Sequence, residues 1–234
     1  MADRQMDATR MQVLAGTGGA TAPCICLVDA PEHPTSLEGL AGLLTCNVVT
    51  IPVAGWGARL TPWPAPALYR GEEDYAGQAA QTLEWLVAEA LPAAEAKAGL
   101  SPRARAIAGY SLAGLFSLYA FVHDSRFAAV GCLSGSLWYD GWTEHLEGLA
   151  FPVAGRYAFF SLGTKERRGP QPRLKQVQVR TETCVRLLRQ RGVRVDLTMN
   201  PGGHLSHIDE RIRAGLTALD AHLAANLPRL GPLA

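Results

Sequence analysis

The residue best placed for chemistry is Ser111, which follows an apolar run directly and begins a segment of helical composition. A serine on such a strand-to-helix turn exposes its hydroxyl, and the crowded backbone demands small residues on either side. Gly109, Ala113 and Gly114 meet that demand. The turn also places the Leu112 N–H at a helix N-terminus, where developing negative charge is stabilised. We therefore predict that Ser111 is a nucleophile and that Leu112 supplies an oxyanion donor.

A serine hydroxyl needs a base to take its proton, and histidine is the usual base near neutral pH. His204 ends the Gly-containing segment 200–204, between the last predicted strand and the last predicted helix. A histidine after the last strand, preceded in the chain by the serine and the acid, is typical of α/β-hydrolases. We therefore predict that His204 is the general base. His207 is the competitor, although its position at the start of a helix equally suits capping or contact with solvent.

The acid of such a site should follow a strand between the serine and the histidine. Glu166 comes after the apolar run 157–162 and the turn residue Gly163, and we predict it as the acid. Its charged neighbours equally suit a solvated surface residue. Asp140, after the preceding predicted strand, is the second position for an acid. If neither carboxylate serves, the serine and the histidine would work as a dyad.

The second oxyanion donor in this class normally comes from the loop after an early strand. The apolar run 24–28 leads into Asp29, Ala30 and Pro31. Proline has no N–H to donate. The Ala30 N–H is therefore the predicted second donor.

The elements that must position these residues follow from the alternation of short apolar runs with longer segments of helical period. This alternation predicts an α/β fold, a mostly parallel sheet with helices on both faces. The predicted strands are residues 24–28, 48–53, 104–108, 128–133, 157–162 and 193–199. The predicted helices are residues 75–91, 111–121, 177–191 and 208–223. The Pro-rich residues 52–66 are predicted to form a long loop beside the site.

Composition limits the classes of partner. The chain is 48% hydrophobic with a net charge of +1, which suits one substantial core and gives no electrostatic reason for a nucleic-acid or membrane partner. Residues 1–23 contain no apolar stretch of the length of a signal peptide core, no later stretch reaches the length of a transmembrane helix, and the five cysteines lack metal-ligand spacing. We expect a single cytoplasmic domain over residues 1–234, poorly ordered at residues 1–22. We also expect reduced thiols, no metal and no other cofactor; the sequence is silent on oligomeric state.

Further segments resemble the enterochelin-esterase-like, or esterase D, branch of the α/β-hydrolases, over roughly residues 24 to 215. Residues 27–29 are similar to that family's strand ending in Asp, and residues 59–63 to its Arg-containing segment running into Thr-Pro. Residues 124–127 and 133–138 resemble its Asp-x-x-Phe and Ser-x-Ser-x-Trp stretches, and residues 200–204 resemble its closing histidine loop.

The resemblance implies an α/β-hydrolase fold and the hydrolysis of carboxylic esters. Siderophore trilactones, acyl esters and S-formylglutathione are substrates of relatives in this family. By the same analogy Arg59 would hold an oxygen-rich group of the substrate and Trp138 would flank the site. Pairing of Arg59 with Glu72 or Glu73, and simple packing of Trp138, are the structural alternatives.

Two departures from the family pattern are visible, Ala113 in place of a motif glycine and the lack of a glycine after Asp29. Siderophore esterases of this family with an extra N-terminal domain or an export signal are longer than this chain, which favours a small intracellular ester over a siderophore. We predict an enzyme in which Ser111 attacks the ester and His204 activates water to release the acyl group. Acyl transfer by the same residues, and a non-catalytic binding protein with a hydrolase fold, are the alternatives.

Overall fold

The structure is a computed structural model that describes residues 11–226. The strands are β1 (Val13–Leu14), β2 (Cys24–Asp29), β3 (Asn47–Pro52), β4 (Pro64–Ala65), β5 (Tyr75–Ala76), β6 (Arg105–Tyr110), β7 (Phe127–Leu133), β8 (Tyr157–Gly163) and β9 (Arg194–Asn200). Within the described residues, seven of them form one sheet in the order β1-β3-β2-β6-β7-β8-β9. All neighbours in this sheet are parallel except β1, which is antiparallel to β3. The strands β4 and β5 form a separate antiparallel pair.

The helices lie between and after these strands. They are α1 (Trp56–Arg59), α2 (Ala79–Trp85), α3 (Leu91–Ala98), α4 (Leu112–His123), α5 (Trp142–Gly148), α6 (Pro172–Lys175), α7 (Val177–Gln190) and α8 (Ile208–Asn226). A π-helical turn, Leu86–Ala90, joins α2 to α3 without a break. Pro92 follows this turn and has no N–H to donate, so the wider turn lets the helix continue past it.

Helices cover both faces of the sheet, as predicted. Along β2, Cys24, Cys26 and Val28 face the core that α2, α3, α4, α5 and α7 cover, whereas Ile25 and Leu27 face the core that α8 covers. This alternation follows from the two-residue period of a strand. Because both faces are buried, the central strands are near-continuously apolar.

The six predicted strands correspond to β2, β3 and β6 to β9, and the structure adds features that the pattern did not predict. The predicted helix 75–91 begins at Ala79 and runs through Pro92 to Ala98. The short helix α5 was not predicted, and the predicted loop 52–66 contains α1 and β4. These elements are too short for a periodic signal to stand out.

The described part of the N-terminal segment, for which we expected poor order, contacts the sheet. Val13 and Leu14 pair with β3, and the Gly16 N–H donates to Asn47 Oδ1 at 2.9 Å. Residues 1–10 of the predicted 1–22 segment lie outside the described residues.

Candidate active site

Ser111 lies on the tight turn between β6 and α4, with φ 59° and ψ −123°. A positive φ is strained for a residue with a side chain, and such strain is found at functional sites. The neighbouring glycines make the turn possible. A Cβ on Gly109 would lie 2.5 Å from the Ala113 carbonyl oxygen, and a Cβ on Gly114 would lie 2.9 Å from the Gly135 Cα. The close approach of strand and helix that the sequence predicts is present.

Three side chains predicted from the sequence form one hydrogen-bonded series. Ser111 Oγ lies 3.0 Å from His204 Nε2, and His204 Nδ1 lies 2.8 Å from Glu166 Oε2. If Nδ1–H donates to the carboxylate, Nε2 is left to accept the serine proton. Ser111 Oγ also lies 3.4 Å from Ser136 Oγ.

Glu166 is a buried residue, only 8% exposed, which excludes the solvated surface alternative. Its Oε1 accepts from the Gly163 N–H at 2.6 Å and from Arg211 Nη1 at 3.0 Å. Burial raises the pKa of Glu166, but the hydrogen bond and charge of His204 and the Gly163 N–H outweigh it, so the pKa lies below its usual value. The carboxylate is therefore ionised at neutral pH.

The two competitors predicted from the sequence have other partners. His207 Nδ1 lies 2.9 Å from Glu210 Oε2, and both side chains are exposed. The Asp140 carboxylate is 53% exposed and lies 3.0 Å from Arg173 Nε and 3.6 Å from Arg180 Nη2. Neither residue belongs to the hydrogen-bonded series of the serine.

The two predicted oxyanion donors differ in their surroundings. Leu112 is the first residue of α4, so its N–H is among those that find no partner within the helix. The Ala30 N–H donates to Asp29 Oδ1 at 2.9 Å, and Asp29 also accepts from the Thr35 N–H at 2.7 Å. The structure thus gives the Ala30 N–H a different acceptor from the predicted one, although Ala30 and Ser111 line the same cleft.

Two cavities meet at Ser111 and His204. The first, of about 370 Å³, is largely apolar and is lined by Leu68, Tyr69, Tyr75, Leu112, Trp138, Leu174, Val177 and Leu205 among others. The second, of about 880 Å³, is more polar and is lined by Asp29, Ala30, His33, Thr35, Trp56, Tyr110, His207, Asp209 and Glu210 among others.

Of the two predicted substrate residues, Trp138 lines the apolar cavity and Arg59 lines neither of these cavities. The Arg59 guanidinium instead lies 6.0 Å from the centroid of the Trp85 ring. The structure therefore places the Arg59 guanidinium beside Trp85 of α2 and not in these two cavities, and its role toward the substrate stays a prediction. Pairing of Arg59 with Glu72 is also not what the structure records.

Sequence reasoning missed Arg211, whose side chain is 1% exposed and contacts Glu166. It also missed Tyr110, whose hydroxyl donates to the His204 carbonyl at 2.6 Å. One signal could have found Arg211. It lies four residues before Gly215 and eight before Leu219, so a charged residue occupies the buried stripe of α8.

Among the described residues, neither a metal-binding cluster nor a membrane-spanning helix is found. No group of three or more His, Cys, Asp or Glu among residues 11–226 could hold a metal ion. No helix in that part of the chain is both long and apolar enough to span a bilayer. The five cysteines are all buried free thiols.

A mostly parallel sheet with a serine on the strand-to-helix turn, and with acid and histidine after later strands, defines the α/β-hydrolase class. Within that class, a profile of the "Putative esterase" family matches residues 39–204, and the chain belongs to this family. The predicted membership of an esterase family is confirmed.

Relatives are distant in sequence. Over 139 residues the chain is 28% identical to the "Uncharacterized protein YbbA" of Bacillus subtilis (strain 168), a match covering 58% of this chain and 56% of that protein. The matched region thus spans little more than half the length of that relative.

Solved structures with this fold include three at TM-scores near 0.7. An IroE-like serine hydrolase from Shewanella oneidensis has a TM-score of 0.70 at 17% identity, covering 90% of this chain and 75% of that one. The siderophore hydrolase EstB from Aspergillus nidulans has 0.69 at 20%, covering 90% and 89%. The enterobactin esterase FES from Shigella flexneri, in the presence of enterobactin, has 0.67 at 20%, covering 89% and 53%. These likenesses establish the α/β-hydrolase fold, as predicted.

Proposed function

We propose that this protein is a serine hydrolase that cleaves small carboxylic esters through an acyl-enzyme on Ser111. The observation that carries the proposal is the series from Ser111 Oγ through the His204 ring to the buried Glu166 carboxylate, with contacts of 3.0 and 2.8 Å. This is the arrangement of a nucleophile, a general base and the acid that orients the base. Membership of an esterase family supports the same reaction.

The proposed reaction begins when the Ser111 hydroxyl gives its proton to His204 Nε2 as Oγ attacks the ester carbonyl carbon. The oxyanion that forms accepts a hydrogen bond from the Leu112 N–H at the start of α4. The imidazolium, stabilised by Glu166, then gives its proton to the leaving alcohol oxygen, and the carbon–oxygen bond breaks. Water activated by His204 attacks the acyl-enzyme in the same way and releases the acid. The Ala30 N–H is the second donor, and it would have to turn from Asp29 toward the oxyanion.

The apolar cavity supports a compact acyl or aromatic group as its occupant. Its walls include Tyr75 and Trp138, whose ring centroids lie 6.0 Å apart, and a volume of about 370 Å³ suits a short group. Leu205 stands at the mouth, 83% exposed beside His204. Burying such apolar surface is favourable by ~25 cal/mol per Å². Trp138 is therefore proposed as a substrate contact.

A siderophore ester is the second substrate class. The named functions of the structural neighbours favour it, and the larger cleft of about 880 Å³ would accommodate a bulky alcohol.

Cytoplasmic action is also part of the proposal. It is supported by the five free, buried thiols, which are typical of a reducing compartment.

The proposal is tested by reacting the protein with a fluorophosphonate probe and measuring the intact mass. We expect one adduct, absent from the Ser111→Ala variant. No adduct at high probe concentration would favour the non-catalytic alternative.

A series of p-nitrophenyl esters should show the highest kcat/KM for short acyl chains, and a trilactone siderophore assayed in parallel tests the second substrate class. Peak activity on long acyl chains would contradict the compact acyl site. Added alcohol or thiol acceptors test acyl transfer, which would yield a new ester or thioester.

A further inference from the structure

The side chain of Arg211 lies behind the active site and donates several hydrogen bonds there. It projects from the first turns of α8 and is 1% exposed. Its Nη1 donates to Glu166 Oε1 at 3.0 Å, to Ser134 Oγ at 3.0 Å and to the Tyr110 hydroxyl at 3.1 Å. Its Nη2 donates to the carbonyls of Pro201 at 3.0 Å and Gly203 at 2.9 Å.

These partners come from four neighbouring strands. Tyr110 ends β6, Ser134 follows β7, Glu166 follows β8, and Pro201 and Gly203 follow β9. One guanidinium therefore joins the carboxyl ends of the strands that carry the serine, the acid and the histidine. Ser134 has φ 44°, so it too has a strained backbone at this junction.

We infer that Arg211 is a positioning residue, which acts through Glu166 and the 201–204 loop to hold the His204 ring toward Ser111. This inference rests on the proposed function. Arg211 does not line either cavity at the serine, so it has no proposed contact with the substrate.

The geometry explains how Arg211 would act on the histidine from both sides. Glu166 uses Oε2 for His204 Nδ1 and Oε1 for Arg211 and Gly163, so the plane of the carboxylate is held at both oxygens. The histidine backbone is held as well. Tyr110, which accepts from Arg211, donates its hydroxyl to the His204 carbonyl at 2.6 Å. A rigid acceptor fixes the tautomer and orientation of the imidazole.

Arginine is suited to this role because its planar fork has five donors with fixed directions, whereas lysine is a compact point charge. A lysine at this position would keep the charge beside Glu166 and lose most of the loop contacts. A methionine would have similar bulk and neither charge nor donors. The pair of variants therefore separates charge from geometry.

Charge also affects the pH profile. His204 is faced by Glu166, Ser111 and Tyr110, and the positive charge of Arg211 lies behind Glu166. The other titratable groups of the cleft that His204 lines are Asp29, His33, His207, Asp209 and Glu210, and none of them is changed in the Arg211 variants. Removal of that positive charge would leave the site more negative and would favour the protonated imidazole. The acidic limb of kcat/KM should then move to higher pH in Arg211→Met and stay near that of the wild type in Arg211→Lys.

The experiment compares Arg211→Met, Arg211→Lys and the matched control Arg156→Met on a short p-nitrophenyl ester. Arg156 is also a buried arginine, 6% exposed, but it lies at the other end of the sheet. We expect kcat of Arg211→Met to fall roughly 10- to 100-fold with little change in KM, as when a group that orients a catalytic residue is removed. Arg211→Lys should recover part of this loss. Arg156→Met should keep the wild-type kcat, KM and pH profile at temperatures where it is folded.

A readout that needs no turnover keeps the two proposals apart. The low-field proton NMR signal of His204 Nδ1–H, assigned by its loss in His204→Gln, should be present in the wild type and lost or shifted upfield in both Arg211 variants. A wild type that shows this signal but neither hydrolyses esters nor reacts with fluorophosphonate would refute the proposed function and leave the positioning role testable by NMR.

Several outcomes would overturn the positioning role. One is a folded Arg211→Met variant with wild-type kcat, pH profile and NMR signal. Another is a rise in KM with unchanged kcat, which would indicate a substrate contact. If Arg211→Met does not fold, wild-type kcat and an unchanged signal in Arg211→Lys would be enough to reject it.

Discussion

Two buried arginines lie at opposite ends of the parallel strands and are held by different kinds of partner. Arg211, at the carboxyl ends, contacts the carboxylate of Glu166 as well as hydroxyls and carbonyls. Arg156, at the amino end of β8, donates to the backbone carbonyls of Phe127 at 2.7 Å and Pro152 at 2.9 Å, and to that of Phe121. Its guanidinium carbon lies 3.7 Å from the centroid of the Phe121 ring.

The two ends of the strands also differ in how burial affects the pKa values of their charged groups. Burial lowers the pKa of Arg156 to about 10, and Asp124 offsets this only in part. Burial of Glu166 is instead outweighed by its partners, so its pKa is lowered and the carboxylate remains charged. The amino end of the sheet thus holds a buried cation for structure, while the carboxyl end holds an ion pair next to the site. Ligands of open α/β sheets bind at the carboxyl ends of the strands, in agreement with this division.

The largest expected effect comes from removing the serine or the histidine at the carboxyl ends of the strands. Ser111→Ala and His204→Ala should each lower ester hydrolysis ~10⁴-fold or more, and the double variant should be no worse, because the two residues act as a unit. Steady-state kinetics on a p-nitrophenyl ester provides the measurement. His207→Ala is the control and should have close to wild-type activity, because the His207 imidazole pairs with exposed Glu210. A deep loss in His207→Ala with an active His204→Ala would reassign the base.

A smaller effect is expected at the acid. Glu166→Gln should lower kcat roughly ten- to a thousandfold with KM little changed, since the third member of such a series is the most dispensable. Asp140→Asn is the matched control, because its carboxylate pairs with Arg173 and Arg180 at the surface. Near-normal activity in both variants would leave the serine and histidine as a dyad. A loss confined to Asp140→Asn would move the acid to the loop after β7.

At the amino end, the expected effect is on stability. Arg156→Met should lower the free energy of unfolding by about 1–3 kcal/mol, because it leaves buried carbonyls without donors. Chemical denaturation monitored by circular dichroism measures this change. An unchanged midpoint would mean that relief of the buried charge offsets the lost hydrogen bonds, and a change in kcat would mean that the two ends are coupled.

The smallest effect concerns the pH dependence of stability. The folded-state pKa of Glu166 lies below the ordinary value of 4.5, so its contribution to stability is present above that pH and is lost as pH falls through the folded pKa. The difference in unfolding free energy between wild type and Glu166→Gln should therefore shrink toward acid pH. Glu182→Gln, at an exposed position, is the control for the substitution itself. A gap that widens toward acid would show that the sign is wrong.

Most of the sheet and the positions of Ser111 and His204 were predictable because their signals are local. The apolar runs that became β2, β3 and β6 to β8 are covered on both faces, so each is nearly all apolar over its length. The edge strand β9 alternates instead, with Val195 buried between the exposed residues Arg194 and Asp196. The turn at Ser111 needs small neighbours within a few residues, and the loop with His204 follows the last strand directly. These features depend on backbone sterics and burial, which act over short stretches of chain.

Tertiary structure alone decided which polar groups share partners. Glu166 and Asp140 are both carboxylates that follow a strand, so their sequence positions are similar. In the structure Glu166 is buried beside His204, whereas Asp140 pairs with surface arginines. Arg59 and Arg211 are both arginines near apolar residues, yet α1 directs Arg59 to Trp85 while α8 directs Arg211 to Glu166. Hydrogen bonds of about 3 Å depend on where distant segments meet, and no local pattern encodes that meeting point. The sequence by itself therefore determined the sheet and the reactive residue types, and packing of α8 against the strand ends decided how they are held.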